Sequence, residues 1–221
     1  HPMGGFGGAL KQLSIGCASN QGKVNIHSGG ATLNQGEFWD KHAEQDDFIE
    51  AMAEAAETVV NHFGSNIAFV NIACNLSVDC DCCAVAEDPC MKDIGIFASL
   101  DPVAIDAACL DAVRNSDDPG RDTLLERITS RHGEKIIDDA VRLGYGSADY
   151  ELKRERIIRF LSLFFDKAAA FLHSPLHNNR DDIRWRDHAF FSNDSRDQIR
   201  RRYIERRIVN LHTWNRRIEH F

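Results

Sequence analysis

Apolar residues recur at helical spacing through residues 48–63. Phe48, Ile49, Met52, Ala55, Ala56, Val59 and Phe63 fall on one face. Asp46 or Asp47 is placed to cap this helix, and Gly64-Ser65 to end it. Upstream, residues 9–13 suit a short helix ending near Gly16, and the polar, Gly- and Asn-rich residues 20–46 predict a long loop. Downstream, residues 67–72 and 94–98 are short, apolar and β-branched, the pattern of buried strands. A polar, cysteine-rich loop over residues 74–93 joins them. Asp101-Pro102 is a strong helix start, because Asp caps free amides and Pro at the first position loses no hydrogen bond. Val103, Ala107, Leu110 and Val113 supply that helix's buried stripe. Two more helices fit residues 123–130 and 134–143, with Gly144 as the stop.

This alternation of strands and helices favours an α/β fold, a layered sheet with flanking helices forming part of a domain. A helical tail follows. There, Ile157, Phe160, Leu161, Phe164, Phe165, Ala168, Phe171 and Leu172 form a stripe that Pro175 breaks. A last helix is expected near residues 195–211. Composition places a break near residue 150. All 15 glycines and all seven cysteines precede residue 150. Residues 1–150 carry 10 basic against 24 acidic side chains; residues 151–221 carry 16 against 10, with 14 of those basic residues Arg. Such a break implies two segments with different roles.

No uninterrupted apolar stretch is long enough for a transmembrane helix. The opening His1-Pro2-Met3-Gly4-Gly5 lacks the charged start and apolar run of an export signal, so the expected location is cytoplasmic. Thiols stay reduced there, and an odd count of seven argues against a complete disulfide framework.

Clustered reduced cysteines are read first as metal or redox groups. Cys80, Cys82 and Cys83, with Cys90 beyond, place several soft thiolate ligands in one loop after a strand. Their spacing is neither a zinc signature nor the ferredoxin run C-x2-C-x2-C-x3-C. The competing explanation is a set of partly buried, unreactive thiols. Cys74, at a strand end, and Cys109, on a helix stripe, are expected in the core. Gly4, Gly5, Gly7 and Gly8, with Lys11, could cradle an anion through successive amides; close backbone packing explains them better. Asp101 is expected as a helix cap and Asp106 on a solvated helix face. The arginines and aromatics of the tail, among them Arg200, Arg201, Arg202, Tyr203 and Trp214, are one route to nucleic acid. Pairing or solvation accounts for them more simply, so nucleic acid is not the expected partner.

Several ordered segments resemble one known family. They include His1-Pro2-Met3-Gly4-Gly5-Phe6-Gly7-Gly8-Ala9-Leu10-Lys11 with Gly16-Cys17-Ala18-Ser19, and Leu76-Ser77-Val78-Asp79-Cys80-Asp81-Cys82. Asp93-Ile94-Gly95-Ile96, the stretch from Ser99 to Asp106, and Leu143-Gly144-Tyr145-Gly146 with Tyr150-Glu151-Leu152 continue the pattern. Residues 1–152 are thus similar to the C-terminal part of the "domain of unknown function 362" family of iron–sulfur-associated bacterial proteins; residues 153–221 match nothing in it. The resemblance implies an α/β fold and an iron–sulfur cluster, commonly [4Fe–4S], or a single iron or zinc ion. Because the family pattern links the first segments to the cysteine loop, it also implies that Cys17 and His1 complete a ligand shell. The expected function is metal or iron–sulfur binding with a redox or electron-transfer role and a redox partner protein. The contrasting expectation is a shortened, non-catalytic binding or structural module that holds no metal and self-associates into a homo-oligomer.

Overall fold

The computed structural model describes residue 1, residues 3–80 and residues 85–153. All belong to the first of two compact units, His1–Ser162; the second is Leu163–Phe221. The expected tail helices lie outside the described residues.

The described chain is mixed α/β. It contains six α-helices and one two-stranded sheet: α1 (Ala9–Lys11), α2 (Asn20–His27), α3 (Gln45–Phe63), β1 (Phe69–Ala73), β2 (Gly95–Ser99), α4 (Pro102–Arg114), α5 (Arg121–Ser130) and α6 (Lys135–Leu143). In α3, Phe48, Ile49, Met52, Ala53 and Ala56 are buried, and Gly64 stops the helix at φ 55°. Its apolar face packs on α6, where Ile136, Ile137 and Ala140 are buried, and Gly144 ends α6 in the left-handed conformation (φ 84°). Asp101 caps α4 as expected: its Oδ1 accepts from Val103 N (2.8 Å) and Ala104 N (3.0 Å), and Pro102 opens the first turn.

Three expectations change. Residues 20–46 are not all loop. Ser19 accepts from Gly22 N and starts α2, whose Val24, Ile26 and His27 are buried. With three buried positions in eight, its apolar stripe is too thin to stand out from the polar residues around it. The helix begun at Ala9 widens into a π turn over Gln12–Gly16. There Ser14 Oγ donates to Leu10 O (2.9 Å) and Lys11 O (3.2 Å).

The third change concerns the strands. They pair antiparallel, with Phe69 opposite Ser99 and Ala73 opposite Gly95. They were expected to be buried on both faces, yet β1 alternates. Phe69 and Ala73 are buried, while Val70 and Ile72 are 38 % and 61 % exposed. The long cysteine connection returns the chain to the neighbouring position as a hairpin-like excursion. No helix crosses over to cover the outer face among the described residues.

Candidate functional site

The glycine-rich loop, the far edge of β1, the cysteine loop and the helices α4 and α5 line a half-open cavity of about 700 Å3. Its wall takes an unbroken run from Val70 to Cys80 and no described residue of β2, so it follows the edge of β1 that β2 leaves unpaired. His1, Gly5, Gly7, Gly8 and Lys11 form another wall; Cys109 and Val113 of α4, with Leu124, Arg127 and Ile128 of α5, form the rest.

One buried carboxylate joins the glycine loop to α4. Asp106 has no solvent exposure. Its Oδ1 accepts from Ala9 N (2.7 Å) and Asn71 Nδ2 (2.7 Å), and its Oδ2 accepts from Leu10 N (2.9 Å). Burial raises its pKa to about 6, although these three donors favour the charged form. The expected solvated position is therefore corrected: Asp106 lies within α4's buried stripe, and the open amides of a helix start offset its desolvation. Gly8 is required by this contact. A Cβ there would stand 2.2 Å from Asp106 Oδ1. Gly5 adopts φ +64°, and a Cβ on it would meet Arg131 Cβ at 2.7 Å. Close packing thus accounts for both glycines, and the Ala9 and Leu10 amides already hold an anion, the protein's own Asp106. Gly4 is buried against His1 and Met52 and is absent from the cavity wall.

Among the described residues, the cysteine loop is fastened at its base. Leu76 bridges to Met91, Cys90 N donates to Leu76 O (2.8 Å), and Ser77 Oγ donates to Glu87 O (2.7 Å). Arg127 of α5 donates through Nη1 to Val78 O (2.8 Å) and pairs with Asp79 Oδ1 (3.1 Å). Gly120 lets the α5 start approach the loop, for a Cβ there would overlap Cys90 O.

The proposed metal ligands occupy different surroundings. Cys80 and His1 line the cavity, and His1 Nδ1 accepts from Gly4 N (2.9 Å). Cys82 and Cys83 lie outside the described residues. Cys90 packs against Met91, Val113 and Leu124; its Sγ donates to Leu76 O (3.4 Å), and burial raises its pKa. Cys17 is exposed and is not part of the cavity wall. Among the described residues, no three His, Cys, Asp or Glu side chains are grouped to hold a metal ion. Cys74 and Cys109, expected in the core, are partly exposed and line the cavity. Cys109 accepts a hydrogen bond from Asn71 Nδ2 (3.5 Å), and burial pushes its thiol up to about 11, keeping it protonated.

Three features escape sequence reasoning: the Asp106–Asn71 pair, the Arg127 tether and a histidine cluster. His27 Nδ1 donates to Lys23 O (2.6 Å), and His42 Nδ1 donates to His27 O (3.1 Å). Since carbonyls only accept, both rings carry hydrogen on Nδ1. His27 stacks on Phe48 with ring centres 4.8 Å apart, and burial lowers its pKa. The one available signal was an Asp among Val103, Ile105, Ala107 and Leu110; the other contacts join distant segments.

No curated protein and no solved structure matches the chain. A family model, the domain of unknown function DUF362, matches residues 1–111, the N-terminal half of the chain. The match takes in the glycine loop, the cysteine loop and α4 as far as Asp111, and stops short of the expected boundary at residue 152. Spanning half of the chain and every segment around Asp106, it identifies the chain as a member of the DUF362 family.

Proposed function

We propose that the protein binds a metal ion or an iron–sulfur cluster through Cys80, Cys82 and Cys83 and has a redox or electron-transfer role. The observation that carries the reading is Cys80 on the wall of a large cavity, at the start of the thiol-rich sequence Cys80-Asp81-Cys82-Cys83. Thiolates are the soft ligands such a centre needs. The described donors do not make a site alone, so Cys82 and Cys83 are indispensable to it. Cys90, engaged with Leu76 O in an apolar cluster, has a packing role, and Cys17 and His1 are secondary candidates. A bound cluster would supply one-electron chemistry; the chain's own part is to hold the loop in place through Arg127 and Asp79.

The test is purification of the full chain without oxygen, followed by metal and acid-labile sulfide analysis. Near-stoichiometric metal is expected, lost in Cys82→Ser and Cys83→Ser and retained in Cys17→Ser. Folded, reduced protein with neither metal nor sulfide would refute the reading. It would favour a binding or structural module that holds no metal, consistent with Val70 and Ile72 being exposed apolar residues beside the cavity.

A further inference from the structure

We infer that the cavity binds a small organic anion with an apolar body, and that Lys11 is its counter-ion. The cavity's volume of about 700 Å3 far exceeds what a metal ion fills and falls among the sizes usual for small-molecule sites. Its wall combines apolar side chains, including Phe6, Val113, Leu124 and Ile128, with few charges. Those charges are not equivalent. Arg127 is matched by Asp79 at 3.1 Å and donates to Val78 O, so its charge is already committed. Lys11 is partly buried, lines the cavity and has no ion pair among the described residues. Glu87, the other acid on the wall, is solvent-exposed. A lysine whose stem lies along an apolar wall and whose ammonium has no ion pair among the described residues is best met by an anion that brings its own apolar surface.

The inner end of the glycine loop is not the anion site. The Ala9 and Leu10 amides point at Asp106 and are satisfied. A second carboxylate against them would meet a buried negative charge, which leaves Lys11 as the anchor and the α4–α5 side chains as the bed for the apolar part. Asn71 lies on the same wall; its amide nitrogen is shared between Asp106 and Cys109.

The inference does not depend on the metal reading, and the two fail separately, because metal content reports one and ligand affinity the other. Three six-carbon probes of nearly equal shape test it: hexanoate, hexanol and hexylammonium. Each is titrated into the full chain by calorimetry, with the thermal midpoint as a second readout. Hexanoate is expected to bind about tenfold more tightly than hexanol, the size of one charge-assisted hydrogen bond, with hexylammonium weakest. Lys11→Met should erase the preference for hexanoate over hexanol while leaving the ligand-free thermal midpoint near that of the parent; Lys11→Arg should keep it. Absence of binding by all three probes would overturn the inference. So would equal affinity for hexanoate and hexylammonium, or a preference that survives Lys11→Met.

Discussion

The two loops that face each other across the cavity are built in opposite ways. The glycine loop is tied at its far end by a fully buried carboxylate with three donors, and its Gly5 and Gly8 fit against neighbouring atoms. Among the described residues, the cysteine loop is held near its base by one bridge, a few hydrogen bonds and the Arg127–Asp79 pair. In sequence, close packing was the better explanation of the glycines and metal binding the first reading of the cysteines. Their difference shows that a run of special residues marks close packing where each one has a buried partner. Glycines of the first loop answer to Asp106 and Arg131, and of the described thiols of the second, Cys90 answers to Leu76 O.

The strongest way to break this contrast is at Asp106. Asp106→Ala leaves the Ala9 and Leu10 amides and the Asn71 carboxamide without their acceptor in a buried site. A loss of about 3–5 kcal/mol is expected, read as the denaturant midpoint at unchanged slope. Gly8→Ala, which forces a methyl group onto the same carboxylate, should cost about 2–3 kcal/mol. If either variant matched the parent protein, the glycine loop would not be fastened as described.

Arg127→Ala sharpens the comparison from the other side. It removes one partly buried tether of the cysteine loop and should lower stability by only about 1–2 kcal/mol. Its main effect should be local: faster protease cleavage within residues 79–90 while the rest of the chain stays intact. Equal protection of both loops in Arg127→Ala would show the cysteine loop to be held by more than its base.

Acid gives a subtler readout. His27 has its pKa lowered by burial, so the unfolded chain takes up protons first, and stability present above pH 6.5 should be lost as pH falls below it. Asp106 acts in the opposite sense. With a folded pKa of about 6 against 3.8, the folded state binds the extra proton, so its contribution improves as pH falls from about 6 towards 4. His27→Gln should therefore flatten the loss below pH 6.5, and Asp106→Asn should steepen it, in thermal midpoints measured from pH 4 to 8. The smallest effect is expected at exposed Cys17: Cys17→Ser should change stability by less than about 0.5 kcal/mol.

Local patterns determined much of this protein. The helical spacing of α3's apolar stripe, the Asp101-Pro102 start of α4, and the glycine stops after α3 and α6 are set within one or two helical turns, so neighbouring residues specified them. The family pattern was readable for the same reason, as ordered short motifs. Tertiary structure alone decided how the strands pair, that Val70 and Ile72 face outward, and that Cys74, Cys80 and Cys109 border one cavity. It also decided that Asp106 is buried, because its partners stand at Ala9, Leu10 and Asn71. A charge can leave water only where donors from distant segments converge, and such convergence leaves no periodic trace along the chain.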